Sequence, residues 1–280
     1  MNNKIESVLQ QKRKGVPITI ATAYDYPSAR LVREAGIDVL LVGDSVGTNV
    51  LGYETEREVT MNDMLHHLRA VVRGASGGCI MVDLPYGAAV DEIQALENSR
   101  LLIDAGADIV KIEGWEDRGA IFKNLAVNGI AVCGHIGYNP QYHGPKGRIF
   151  GKEHQVAVEL ITSAQTLEAA GAVMLIVEKI PEEVTKLIAT RVLMPVIGIG
   201  SGRYCDGQVL VFHDIVGLVW RSFRHARAWA NLREAAAAGL SGYKDAVAAG
   251  SFPGSEHVSH ISAAELAMVE RTIGSISRNI

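Results

Sequence analysis

Eight short apolar runs, PITIATA, DVLLVG, CIMVD, IVKIE, IAVCGH, VMLIVE, PVIGIG and QVLVFHD, recur along the chain with longer stretches of helical periodicity between them. Nothing else in the sequence limits the fold as strongly. Most of these runs are apolar at consecutive positions, so a strand formed there is covered on both faces. Strands of that kind sit in parallel sheets and are joined by crossover helices. The expectation is an α/β fold, a (β/α)8 TIM barrel with additional C-terminal helices, although an open doubly wound sheet satisfies the same alternation. A length of 280 residues with 48% hydrophobic content fits one barrel domain over 1–280, with 220–280 as a C-terminal helical extension.

Helix boundaries are legible in places. Thr60 precedes Met61, Met64, Leu65, Leu68, Val71 and Val72 at helical spacing, with Asp63 placed to complete a capping box and Gly74 as the stop. Further helix starts are expected after Tyr26-Pro27, near Ala89, near Glu153 and at Pro181. Beyond the last apolar run, Trp220 to Ala249 reads as helix, followed by a SFPGSEH turn and a polar final helix. Arg221, Arg224 and Arg227 interleave there with Trp220, Phe223 and Trp229; an amphipathic helix packing its aromatic residues on the barrel accounts for this better than a nucleic-acid surface.

Charge and cysteine content narrow the function classes. Twenty-seven basic residues against 31 acidic ones give a net charge of -4, with no run of like charge long enough to follow a phosphate backbone, so nucleic acid is not an expected partner. Cys79, Cys133 and Cys205 are odd in number and far apart, which suits neither a disulfide framework nor a C-x-x-C motif. The first residues, MNNKIESVLQQKRKG, lack the roughly 7–15-residue apolar stretch of a secretion signal, and no segment approaches the ~18 apolar residues of a membrane helix. These features fit a cytoplasmic protein that does not span a membrane.

Residues capable of chemistry stand at the strand ends: Asp44 and Ser45 after the second run, Asp83 closing the third, Lys111 and Glu113 in the fourth, His135 closing the fifth, Glu178 closing the sixth. In a parallel barrel those ends share the face that carries the active site. Carboxylates converging in a cleft repel one another unless a proton or cation lies between them, and an all-oxygen set favours a hard divalent ion, Mg2+ by preference. Asp44 and Asp83 read equally as helix caps or turn formers. Lys111 and Glu113, two apart on one strand, point to the same side, which is costly without a partner charge. Glu178 follows VMLIV and would be a plausible general base at a dry strand end, or else a rim carboxylate paired with Lys179. His135 fits a proton relay, a metal ligand or a hydrogen-bonded structural histidine. GDSVG, Gly43 to Gly47, has the outline of a nucleophile elbow, but the acid before Ser45 makes a chelating pair the more economical reading, with Asp44 to metal and Ser45 to a substrate carboxylate. The glycines of GIGSG, Gly198 to Gly202, could admit a phosphate or planar ring; tight rim turns explain them as well.

The blocks TAYDYPSA, VGDSVG, VDLPYG, VKIEG, VCGHIGYNPQ, LEAAGA, IGIGSG, CDGQVLV and FPGSEH occur in an order that resembles the ketopantoate hydroxymethyltransferase family, from about Ile18 to His257. The resemblance implies a (β/α)8 barrel of the phosphoenolpyruvate mutase and isocitrate lyase superfamily and a step of pantothenate and coenzyme A biosynthesis. The implied reaction is hydroxymethyl transfer from 5,10-methylenetetrahydrofolate to 3-methyl-2-oxobutanoate, giving 2-dehydropantoate. It also implies Mg2+ held by Asp44, Asp83 and Glu113, an oxo acid held by Asp44, Ser45, Asp83 and Lys111, and Glu178 as proton acceptor in forming an Mg2+-stabilised enolate. A homo-oligomer, commonly a decamer in the family, is implied as well. The loop YNPQYHGPKGRIFGK, Tyr138 to Lys152, departs by having Asn139 where the family usually has threonine and by its shorter length, and such loops set selectivity. Two alternatives stay open: a superfamily paralogue of lyase or phosphomutase type acting on another α-oxo acid, and a catalytically silent metabolite-binding paralogue.

Overall fold

The computed structural model describes residues 3–114, 118–144, 147–220 and 223–276. Eight parallel strands close into a barrel in chain order: β1 Ile18–Thr22, β2 Val39–Val42, β3 Cys79–Asp83, β4 Ile109–Glu113, β5 Val132–Gly137, β6 Met174–Glu178, β7 Val196–Ile199 and β8 Gly207–Leu210. The helices are α1 Asn3–Lys14, α2 Tyr26–Glu34, α3 Met61–Gly74, α4 Glu92–Asp104, α5 Gly119–Val127, α6 Pro140–His143, α7 His154–Ala169, α8 Glu182–Ala189, α9 Phe212–Val216, α10 Leu232–Ala248 and α11 Ala263–Ile276. By backbone proximity the chain divides into two units, Met1–Ala230 and Asn231–Ile280.

Closure is decided by β8. Its pairing with β1, from Ile18 opposite Gly207 to Ala21 opposite Leu210, excludes the open sheet. A side chain at position 207 could not be accommodated there, since a Cβ would lie 2.2 Å from the Ile18 carbonyl oxygen. The eighth strand is shorter than the QVLVFHD run. At Phe212 the backbone N–H leaves the ladder and donates to the Thr22 hydroxyl at 2.8 Å, and the chain turns into α9.

Side chains alternate between two apolar layers as the pleat requires. Ile80, Val82, Val110 and Ile112 face the helices, whereas Cys79, Met81, Ile109, Cys133, Met174 and Ile176 fill the barrel interior. Ile5 and Val8 of α1 join that interior cluster at the N-terminal end of the strands. α1 is anchored by Lys12, whose Nζ donates to the carbonyls of Val192 at 3.0 Å and Met194 at 2.9 Å and pairs with Asp206 at 2.9 Å.

Around the barrel, α3 shows how the local signals act. Thr60 and Asp63 form the expected reciprocal cap, and Met64, Leu68 and Val71 are buried on one face. The helix stops beside a close approach, since a Cβ at Gly74 would lie 2.5 Å from the Tyr26 carbonyl oxygen. α8 differs slightly from expectation, with Pro181 at the cap position and not inside the first turn.

The helix expected from Trp220 begins only at Leu232. The Trp229 N–H donates to the Ile215 carbonyl at 2.9 Å, which holds that backbone outside helical geometry. The expected packing of aromatic residues on the barrel is not found: Trp220 is 81% exposed and Trp229 63%, and the latter ring is met by the Arg227 guanidinium at 5.6 Å. Arg221 lies outside the described residues. In the second unit, the Phe252 ring of the turn after α10 lies 5.7 Å from Tyr243 of that helix and 5.1 Å from His257.

Candidate active site

The inward-facing positions of the strands change character toward their C-terminal ends. Along β3 the row runs Cys79, Met81, Asp83; along β4, Ile109, Lys111, Glu113; along β5, Cys133, His135; along β6, Met174, Ile176, Glu178. The strand period therefore stacks a charged layer directly on the apolar interior. Asp44, Asp83, Lys111, Glu113, His135 and Glu178 are all buried.

Lys111 is the hub. Its Nζ lies 3.1 Å from Asp83 Oδ2, 3.5 Å from Glu113 Oε1 and 3.4 Å from His135 Nδ1. Asp44 joins through backbone and side chain: its N–H donates to Asp83 Oδ2 at 3.0 Å, and its Oδ2 accepts from Gln141 Nε2 at 2.6 Å. Gln141 also donates its backbone N–H to Glu113 Oε2 at 3.0 Å and its side-chain amide to the Leu84 carbonyl at 3.0 Å. Ser45 is partly exposed, and its Oγ lies 2.8 Å from the Tyr24 hydroxyl. No histidine contacts that hydroxyl among the described residues, so the nucleophile reading has no base.

Glu178 does not touch the other acids. His135 lies between them, with Nδ1 3.1 Å from Glu113 Oε1 and Nε2 3.4 Å from Glu178 Oε2, a pair close enough for charge interaction but not aligned as a hydrogen bond. Lys179 Nζ is 3.8 Å from Glu178 Oε1 and 3.8 Å from the Tyr138 ring centre. The dry strand end expected for Glu178 is thus furnished with two nitrogen-bearing neighbours. Lys179 holds φ of 49°, a left-handed conformation that a non-glycine residue seldom adopts and that clusters at functional sites.

Electrostatics follow from three carboxylates meeting one ammonium in a buried space. Burial pushes the Asp44, Asp83 and Glu113 carboxyls up to about 7 each, mutual repulsion adds to this, and Lys111 opposes it. Burial alone would lower Lys111, but the charges of Asp83, Glu113 and Asp44 outweigh it and the net shift is upward. Burial, followed by the Lys111 charge, lowers His135 and favours its neutral form. Burial raises the Tyr24 phenol, so it stays a neutral partner for Ser45.

A cation would relieve this arrangement. Asp83 Oδ1 is buried without a hydrogen-bond partner, and the oxygen-only acids exceed the single nearby ammonium in charge. These properties fit a hard divalent ion. No group of three or more His, Cys, Asp or Glu is already gathered at metal-holding distance among the described residues, because Lys111 lies between Asp83 and Glu113.

The structure thus brings Asp44, Asp83, Lys111 and Glu113 into one network, adds Ser45 at its edge through the Asp44 backbone, and links Glu178 through His135. Gln141 and Tyr24 belong to the network too. Gln141 carries no periodic signal; only the Asn139-Pro140 start of a one-turn helix, which aims the next residue back over the strand ends, could have marked it. Asn139 is itself buried and donates to the His135 carbonyl at 3.0 Å, fixing the loop at that strand. The GIGSG turn is occupied by packing: a Cβ at Gly202 would lie 2.1 Å from Glu182 Cβ, and Ser201 Oγ donates to the Val177 carbonyl at 2.8 Å.

Comparison with known proteins places this site in a wider setting. Residues 2–255 match the family model of ketopantoate hydroxymethyltransferase. A 3-methyl-2-oxobutanoate hydroxymethyltransferase of Thermotoga neapolitana is 45% identical over 254 residues, covering 89% of this chain and 94% of its own. One from Chloroflexus aurantiacus is 41% identical over 271 residues, covering 95% and 96%. Among solved structures, a phosphonopyruvate hydrolase in complex with oxalate and Mg2+ superposes with a TM-score of 0.62 at 14% identity, covering 99% of both chains. A 2,3-dimethylmalate lyase of the PEP mutase/isocitrate lyase superfamily gives 0.59 at 14% identity over the whole of both chains, a likeness of fold. With a family model matched over most of its length and relatives above 40% identity, the chain belongs to the ketopantoate hydroxymethyltransferase family.

Proposed function

We propose that this protein transfers a hydroxymethyl group from 5,10-methylenetetrahydrofolate to 3-methyl-2-oxobutanoate, forming 2-dehydropantoate for pantothenate synthesis. The observation that carries the reading is the buried layer of three acids around Lys111, with Glu178 one histidine away. Relatives bearing the matching name at 41–46% identity support it.

In this reading Asp44, Asp83 and Glu113 hold Mg2+. The bound ion would supply a Lewis acid for the keto and carboxylate oxygens of the oxo acid. Lys111 contributes a fixed positive charge beside the same oxygens, and Ser45 donates a hydrogen bond to the substrate carboxylate. Asp44 and Asp83 set the position of the oxo acid. Gln141 holds Asp44 and Glu113 in place through its amide and backbone N–H. Glu178 accepts the C3 proton, with the His135 ring beside it, Nε2 lying 3.4 Å from Glu178 Oε2. One carbon–nitrogen bond of the donor's methylene bridge opens, water adds its oxygen to that carbon, and the second carbon–nitrogen bond breaks to release the carbon at the formaldehyde level. The electron pair left at C3 bonds to it, its oxygen takes a proton to become the hydroxyl, and tetrahydrofolate leaves. Every residue used lies in the first unit, and the small soluble reactants suit a cytoplasmic enzyme.

Glu178→Gln separates binding from proton abstraction. The variant is expected to bind 3-methyl-2-oxobutanoate with affinity close to that of the unaltered protein while losing exchange of the C3 proton into deuterated water, followed by NMR. Undiminished exchange would remove Glu178 from the role of base.

A further inference from the structure

We infer that the cavity between the loops following β3, β4 and β5 binds the folate donor, with its planar pteridine head against Tyr86 and Tyr142 and the Arg118 guanidinium donating to the polar edge of that head. This assignment rests on the proposed transfer reaction and adds a place for the second substrate. The cavity measures about 610 Å3, a volume suited to a ligand of drug-like size and far beyond what a small oxo acid requires.

Its position follows from the chain. Tyr86 lies shortly after Asp83, Tyr142 directly follows Gln141, and Gly114 directly follows Glu113. A Cβ on Gly114 would sit 3.3 Å from Arg118 Nε and 3.6 Å from the Tyr142 ring, so the wall of the cavity begins one residue from an acid of the site. A one-carbon unit carried there would face the strand ends where the oxo acid is held.

Its lining matches a planar ligand with hydrogen-bond acceptors at its edge. The two tyrosine rings meet edge to face at 5.8 Å and both keep an exposed surface. Each is held by an arginine: Arg57 Nη2 donates to the Tyr86 hydroxyl at 2.6 Å with its guanidinium 4.2 Å from that ring, and Arg118 donates to the Tyr142 hydroxyl and the Ala89 carbonyl. Rings fixed in this way lose little freedom on binding a flat partner. Val90 and Ile121 supply apolar wall, Arg118 is the lining cation with donors to spare, and no carboxylate is among the described lining residues.

The experiment measures tetrahydrofolate binding by calorimetry, alongside C3 proton exchange of 3-methyl-2-oxobutanoate, which needs no donor. Tyr86→Ala and Arg118→Gln should each weaken tetrahydrofolate binding about tenfold or more while leaving exchange within about twofold. Val90→Trp fills the cavity from a side chain 66% exposed, so it leaves the packing intact and should abolish tetrahydrofolate binding with exchange retained. Tetrahydrofolate affinity unchanged in Val90→Trp overturns the assignment. Loss of exchange in all three variants overturns it too, since the cavity would then serve the oxo acid. If the unaltered protein binds tetrahydrofolate but shows no exchange, the proposed chemistry fails while the cavity assignment is still decided by the binding data. If it exchanges but does not bind tetrahydrofolate, the folate donor and the cavity assignment fail together.

Discussion

Replacing Gln141 with leucine removes the side-chain donor to Asp44 and leaves the backbone N–H to Glu113 in place. The lost contacts are the 2.6 Å hydrogen bond to Asp44 Oδ2 and the 3.0 Å one to the Leu84 carbonyl, of which the first acts on the charge of Asp44. A hydrogen bond to a charged group contributes about 1.5–3 kcal/mol, and ~1.36 kcal/mol corresponds to one pKa unit. The Asp44 carboxyl, already pushed up to about 7, should therefore rise by roughly one to two units more. At about pH 7.5 its ionised fraction falls from about three-quarters to between a quarter and a few per cent. Because a carboxylate must be deprotonated to hold a cation, Mg2+ affinity should drop roughly 3- to 25-fold at that pH and return to within about twofold near pH 9.5. Titration calorimetry of Mg2+ at both pH values, with circular dichroism to verify folding, measures this. An unchanged affinity at pH 7.5, or an equal loss at both pH values, would refute the electrostatic account of Gln141.

Other expectations follow from the same geometry. Since the buried acids titrate near 7 and unfolded carboxyls near 4, the native state holds more protons between those values, and this contribution to stability is lost as pH rises through the window. In metal-free protein, the melting temperature of Asp83→Asn relative to the unaltered chain should thus climb from about pH 5 to about pH 8; parallel curves would contradict the assignment. Gly137→Ala places a Cβ 2.3 Å from the Glu178 carbonyl oxygen at φ of 94° and should cost on the order of 2–4 kcal/mol, or about 5–10 °C in melting temperature. A shift below about 2 °C would show that β5 and β6 can separate without penalty.

Much of the site was already written in the strand ends. Asp83, Lys111, Glu113 and Glu178 continue the inward row of their strands, and a period of two is a local property that sequence reveals directly. The cap of α3 was legible for the same reason, because Thr60 and Asp63 interact within one turn. Gln141 was not, since its role depends on meeting Asp44, 97 positions away in the chain. The fate of Trp220 and Trp229 was equally hidden: helical spacing suggested an apolar face, whereas both rings are exposed and the Trp229 N–H bonds to the Ile215 carbonyl, 14 positions back.

By itself the sequence determined the number and order of the strands, the burial of both faces of most of them, and the placing of ionisable residues at the ends of the second to the sixth. Those are consequences of side-chain chemistry at short range. Only the tertiary structure decided that the sheet closes, through the approach of Gly207 to Ile18, and that Lys111 lies between Asp83 and Glu113 while His135 separates Glu178 from them. Which charges face one another is fixed by strand register across the barrel, and burial at that register sets their protonation.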